Sequence, residues 1–238
     1  MKPLPTTGRL ASRMKPSEQA ALKQSLQSHA PTANWLAQTN ELEIELGIGN
    51  GMAILNRAQN NPKASFLGCE IYLNGLEVVH QQLQKHPQPN LKICNQDARE
   101  LLQTIPPASA ARILMLFPDP WPKSKHHKRR LLQPELLQLI AQALRPQGEF
   151  WLVTDWPDYA FHTIALLQNA PHFAFPQTAL AAAACKVKAN AQSPINHQQT
   201  LGPHHLATPP TWWIPTKYQQ KAAKVGRLPW FINSLKLG

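Results

Sequence analysis

The sequence predicts an α/β fold: a doubly wound, mostly parallel sheet with helices on both faces. Three observations carry this prediction. Five short apolar runs recur along the chain, segments of helical period separate them, and a glycine-rich turn follows the first run directly. Parallel strands need helical crossovers, so strand and helix signals have to alternate in this way.

The first run is ELEIEL, in which Leu42, Ile44 and Leu46 alternate, and Gly47, Ile48, Gly49, Asn50 and Gly51 come next. That pattern reads as strand and then turn. Met52, Ile54, Leu55 and Ala58 fall at helical spacing until Asn60, Asn61 and Pro62 stop the run. Further apolar runs stand at 66–69, 91–94, 113–117 and 150–153. Leu76, Val79 and Leu83 form one helical stripe. Leu136, Leu137, Ile140 and Leu144 form another, opened by Pro134 and closed by Pro146 and Gly148. Beyond residue 172 the periodicity fades, and 179–210 is of low complexity, with an alanine run, His204, His205 and scattered prolines. A surface insertion is expected there. Residues 228–237 read as a last strand, antiparallel at the sheet edge.

The chain has 238 residues, 43% of them apolar, which is enough for a real core. Its formal charge of +11 is unevenly placed. Residues 1–40 hold five Lys/Arg and one Glu, 41–158 hold twelve and twelve, and 159–238 hold seven and none. The organisation expected is a flexible, basic N-terminal arm over 1–40, followed by one domain over 41–238 that carries the insertion. Basic flanks on a neutral middle suit a polyanion, nucleic acid ahead of a membrane surface. No run approaches the roughly 18–20 apolar residues of a membrane helix, and no secretion signal opens the chain. A cytoplasmic protein without membrane attachment is expected. Cys69, Cys94 and Cys185 lack metal-ligand spacing and a disulfide framework, so they read as thiols, and no metal site is expected.

Five of the thirteen carboxylates close an apolar run: Glu45, Glu70, Asp97, Asp119 and Asp155. In an open parallel sheet the carboxyl ends of the strands line the ligand crevice; the alternative is that acids there only cap helices. Gly47, Gly49 and Gly51 let backbone approach a bound cofactor, but the GxGxG spacing is not that of a dinucleotide fingerprint, which argues against a nicotinamide-dependent oxidoreductase. Glu70 offers two acceptor oxygens to a ribose diol. Asp97 with the small Ala98 suits an adenine amino group, and Glu45 stands beside the glycines. A nucleoside cofactor without phosphates, S-adenosylmethionine, fits this rim.

Residues 117–130 read FPDPWPKSKHHKRR. Asp119 and Trp121 supply an acceptor and a stacking face for a planar base. Lys123, Lys125, Lys128, Arg129 and Arg130 would hold the flanking phosphates.

Together, IELGIGNG (44–51), FLGCE (66–70), QDA (96–98), the 117–130 loop with its HxKRR element at His126 and His127, TDWPDYA (154–160) and PTKY (215–218) resemble the bacterial tRNA (guanine-N7-)-methyltransferase family. The resemblance runs over about 41–170, with a shorter echo at 215–230. It implies a seven-stranded methyltransferase sheet in the order 3-2-1-4-5-7-6, S-adenosylmethionine as donor and guanine N7 of tRNA, in the variable loop, as acceptor. It implies that Glu45, Gly47, Gly49, Gly51, Glu70, Asp97, Ala98 and Asp119 serve the cofactor, with Asp119 also catalytic. Trp121, Lys123, His127, Lys128, Arg129, Arg130, Asp155, Thr216, Lys217, Tyr218 and Gln219 are its expected tRNA contacts, on a monomer or weak homodimer. Gln219 stands where the family usually has Glu, and the Arg- and Gly-rich stretch after it is reduced to Lys221, Lys224, Gly226 and Arg227. The other reading is a tRNA-binding protein or chaperone on a catalytically degenerate methyltransferase fold.

Overall fold

The computed structural model describes residues 14–176 and 208–238, and the chain divides into two compact units. One unit comprises Thr7–Leu114 with Gln142–Arg145; the other contains Met115–Ala141 and Pro146–Gly238. The first opens with α1 (Pro16–Leu26), a 3-10 turn (Gln27–His29) and α2 (Ala33–Ala37). It then alternates β1 (Leu42–Leu46), α3 (Met52–Asn60), β2 (Ser65–Cys69), α4 (Leu73–Lys85), β3 (Leu91–Cys94), α5 (Ala98–Thr104) and β4 (Ala110–Leu116), the last crossing into the second unit at Met115. β1 pairs in parallel with β2 and with β4, and β2 with β3.

Every residue of β1 is buried. A parallel strand covered on both faces is normally a continuous apolar run, yet β1 alternates leucine or isoleucine with Glu43 and Glu45. Arg57 of α3 resolves the conflict: its Nε donates to Glu43 and its Nη2 to Glu45, each at 2.5 Å, and Arg112 of β4 donates to the other Glu43 oxygen at 2.9 Å. Buried charges are tolerated when paired and hydrogen-bonded in this way.

Part of the segment expected as a flexible arm is helical and docked. Pro16 starts α1 with φ already preset, and Glu18 accepts the Lys15 N–H at 2.7 Å. Leu22 and Leu26, one turn apart, are buried in a cluster with Ile54, Phe66, Leu76, Val79 and Ile93. Two leucines in eleven residues are too sparse a stripe to announce docking in the sequence.

The second unit contains a 3-10 turn (Ser124–Arg129), most of α6 (Pro134–Ala143) and of β5 (Leu144–Thr154), then α7 (Pro157–Gln168), β6 (Phe173–Ala174), α8 (Lys217–Ala223) and β7 (Trp230–Lys236). Leu144, expected on the last turn of a helix, instead opens β5. The strands form a seven-stranded sheet in the order β3-β2-β1-β4-β5-β7-β6. β7 is antiparallel to both β5 and β6 and lies between them, so the edge expected at 228–237 belongs to β6. Two residues carry no detectable period, which is why β6 escapes a sequence reading. The expected insertion at 179–210 and Cys185 lie outside the described residues, apart from 208–210. The strand order reverses between β1 and β4, the point at which open α/β sheets bind ligands outside their carboxyl ends.

Candidate active site

The β1–α3 turn in the first unit is built for close approach. Gly47, Gly49 and Gly51 have φ of +81°, +55° and +73°. A Cβ built on Gly47 would meet no protein atom within 4 Å, so the backbone there presents an open face. A left-handed conformation costs an ordinary residue about 1–2 kcal/mol, which glycine avoids. Behind the turn α4 packs so tightly that a Cβ on Gly75 would lie 2.3 Å from the Gly49 carbonyl oxygen. Gly75 is a site-forming residue that sequence reasoning missed; its only signal was a glycine inside a helical stripe.

Glu70, at the end of β2, is oriented by backbone amides. One carboxylate oxygen accepts the Gly49 N–H at 2.8 Å, and the other accepts those of Ile71 and Tyr72 at 2.9 and 3.0 Å. Asn95 donates to the Glu70 carbonyl at 2.9 Å, fixing the strand end from β3. Glu70 thus ties the glycine turn to β2 while its Oε2 keeps acceptor capacity for a diol. Glu70→Ala is expected to lose donor affinity by roughly 1.5–3 kcal/mol for each charged hydrogen bond removed. Calorimetric titration with S-adenosylmethionine checks this, and affinity within twofold of wild type would remove Glu70 from the cofactor site.

The other two candidate acids of this unit, Glu45 and Asp97, have partners within the protein. Glu45 is 2% exposed and held by Arg57; burial pushes its carboxyl up against the pull of that guanidinium. Through Arg57 it is joined to α3. Asp97 caps α5, accepting the Arg99 N–H at 2.8 Å, and Ala98 is buried. Asp97 thus acts as a helix cap, and its second carboxylate oxygen lies 3.3 Å from Arg99 Nη1.

In the second unit, the loop after β4 begins at Phe117, whose N–H donates to the Val153 carbonyl at 2.7 Å. Phe117 and Trp121 both have positive φ, +51° and +43°. Asp119 between them is exposed and has no hydrogen-bond or ion-pair partner among the described residues. A reactant can therefore reach its carboxylate, although the surrounding protein desolvates it enough to push the carboxyl above its ordinary range. The Arg129 guanidinium lies 4.4 Å from the Trp121 ring centroid, and the buried Trp121 indole nitrogen lacks a partner among the described residues. Lys123, Lys125 and Lys128 are exposed. The His127 Nε2 is 3.4 Å from Asp158; burial and then Arg130 lower its pKa, favouring the neutral ring.

Arg130 departs from expectation. It is 1% exposed, with Nε donating to the Pro120 carbonyl at 3.0 Å and Nη2 bonded to Asp158. A guanidinium so enclosed does not hold a phosphate. Asp155 is ion-paired with Arg227 at 2.9 Å, and that guanidinium lies 5.4 Å from the Trp156 ring. Thr216 is buried and caps α8, accepting the Gln219 N–H at 3.2 Å, while Gln219 accepts the Trp213 indole N–H at 3.1 Å. Lys217 and Tyr218 lie in the first turn of α8.

A parallel sheet with this glycine turn after β1 and an amide-held carboxylate at the end of β2 defines an α/β methyltransferase. Known relatives agree. The family described as "Putative methyltransferase" matches residues 39–197. The tRNA (guanine-N(7)-)-methyltransferase of Azorhizobium caulinodans is 32% identical over 203 residues, 85% of this chain and 78% of the relative. That of Nitrobacter winogradskyi is 41% identical over 143 residues, 60% of this chain and 56% of the relative. Among solved structures, the aminoglycoside resistance methyltransferase NpmB1 aligns over 95% of both chains with a TM-score of 0.50 at 16% identity, a likeness of fold. The chain belongs to the tRNA (guanine-N7-)-methyltransferase family.

Proposed function

We propose that this chain transfers the methyl group of S-adenosylmethionine to N7 of a guanine in the variable loop of tRNA, as a cytoplasmic monomer or weak homodimer. The observation that carries the reading is, within the first unit, an amide-held Glu70 beside an open glycine turn; the second unit by itself supplies an exposed Asp119, without a hydrogen-bond or ion-pair partner among the described residues, in a Trp- and Lys-rich loop. Among the described residues, no helix is long and apolar enough to cross a membrane.

When bound, S-adenosylmethionine supplies an electrophilic methyl group. The first unit's residues fit it: Glu70 would accept from the ribose hydroxyls and the Gly47 backbone would lie against it. Guanine N7 has a free lone pair, so no proton has to leave before attack, and the protein's task is positioning and electrostatics. Asp119 accepts from the N–H groups of the guanine edge and balances the positive charge that develops on the ring. Trp121, with the Arg129 guanidinium 4.4 Å from its ring centroid, supplies aromatic surface for stacking a planar base.

Unmodified tRNA incubated with protein and donor, then treated with borohydride and aniline to cut at 7-methylguanosine, is expected to show one cut, in the variable loop. A cut elsewhere would overturn the position. The exposed lysines make a second prediction. Lys123, Lys125 and Lys128 changed together to Ala should weaken tRNA binding and flatten its dependence on salt, by about one unit of log–log slope for each phosphate no longer neutralised. Filter binding at several salt concentrations checks this, and an unchanged slope would make the run a solvated surface.

A further inference from the structure

We infer that Arg130 and Asp158 form an internal clamp that sets the shape of the 117–121 loop, which makes Arg130 a positioning residue for Asp119. The inference rests on the reading of Asp119 given above, and it reassigns a basic residue that the charge run alone places on phosphate.

The loop needs such a hold. Phe117 and Trp121 are bulky residues at positive φ on either side of Asp119. Conformations of this kind are unfavourable for residues with a side chain and persist only where the surroundings over-determine them. Asp119 is also flanked by Pro118 and Pro120, which have no N–H, so the backbone around it is anchored mainly through carbonyls. The Pro120 carbonyl, one residue from Asp119, is the group that Arg130 Nε grips at 3.0 Å.

Arg130 is itself fixed from three sides. Its Nη2 is bonded to Asp158, and its guanidinium carbon lies 5.0 Å from the centroid of the Tyr159 ring. Gln133 Nε2 donates to the carbonyls of His127 and Arg130, at 2.9 and 3.2 Å. The Tyr159 hydroxyl accepts the Leu132 N–H at 3.1 Å. Asp158 and Tyr159 stand on the first turn of α7, so the clamp ties the acid-bearing loop to a helix. All of these residues belong to the second unit.

The test compares full-length Arg130→Lys, Asp158→Asn, the double variant and Asp119→Asn by kcat, by KM for donor and for tRNA, and by thermal midpoint. Lysine keeps a charge for Asp158 but cannot reproduce the two-directional fork of arginine. Folded Arg130→Lys is expected to keep both KM values within about twofold while kcat falls about 10- to 100-fold, the scale of a small misplacement of a reacting group. Asp158→Asn should fall similarly, and the double variant should fall by less than the product of the two, because both changes break one device. Wild-type kcat in folded Arg130→Lys would overturn the clamp, as would a loss confined to the KM for tRNA with a flatter salt dependence. If Arg130→Lys does not fold, the volume-preserving pair Arg130→Met with Asp158→Leu takes its place, and wild-type kcat there overturns the clamp equally. Wild-type turnover in Asp119→Asn would instead sink the reading of Asp119.

Discussion

Asp119→Asn is expected to lower kcat by about 10²- to 10³-fold, the scale seen when one preorganised electrostatic group is removed from a reacting centre, while leaving donor affinity unchanged. The amide keeps the shape but presents an N–H₂ where the guanine edge needs an acceptor. Turnover needs the carboxylate, and desolvation holds its pKa above the ordinary range. Activity should therefore rise with pH through an acid limb lying above that of an ordinary aspartate, at about 4. Stability runs the other way. A carboxyl whose folded pKa is raised contributes stability below its unfolded pKa and loses it as pH rises through the folded value. Asp119→Asn should accordingly be no less stable than wild type near neutrality, which separates lost turnover from lost fold. Steady-state rates across pH and thermal midpoints check both, and wild-type kcat would move the catalytic role elsewhere.

Arg57→Ala should be the most destabilising of the changes considered. It leaves Glu45 without its partner and Glu43 with Arg112 alone, both inside the sheet. Breaking a buried pair by removing one member costs about 3–5 kcal/mol, because an uncompensated charge stays behind. Replacing Arg57 by Met and Glu45 by Leu together removes both charges and should recover much of the loss. Urea unfolding of the single and double variants measures this. A single variant within about 1 kcal/mol of wild type would show that Glu43 and Glu45 do not depend on Arg57, a scale far below that expected for a buried pair.

The parts of this protein legible in its sequence are those governed by local rules. The alternation of Leu42, Ile44 and Leu46 and the glycines after it mark β1 and its turn because side-chain period and backbone freedom act over a few residues. Glu70 is legible because it closes β2 a fixed distance past that turn. Features that depend on contacts distant in the chain are not legible. Glu45 reads as a cofactor residue until Arg57, twelve residues on, is seen to hold it. Arg130 is indistinguishable from Arg129 in a run of cations; only Asp158, twenty-eight residues away, and the Tyr159 ring separate the buried one from its neighbour. Asp97 could cap a helix or meet an adenine, and the short α5 behind it gives too weak a pattern to weigh the two. Gln219 departs from the acid expected at that position, and its partner, Trp213, lies beyond any periodic signal.

Methyl transfer to guanine N7 is tested most directly by the identity of the methylated nucleoside. Purified protein is incubated with S-adenosylmethionine carrying a labelled methyl group and with tRNA lacking modifications, and the RNA is digested to nucleosides and resolved by mass spectrometry. Label is expected in 7-methylguanosine, accumulating about 10²- to 10³-fold more slowly with the Asp119→Asn protein. Label in another nucleoside, or tight tRNA binding with no label transferred at all, would contradict methyl transfer to N7.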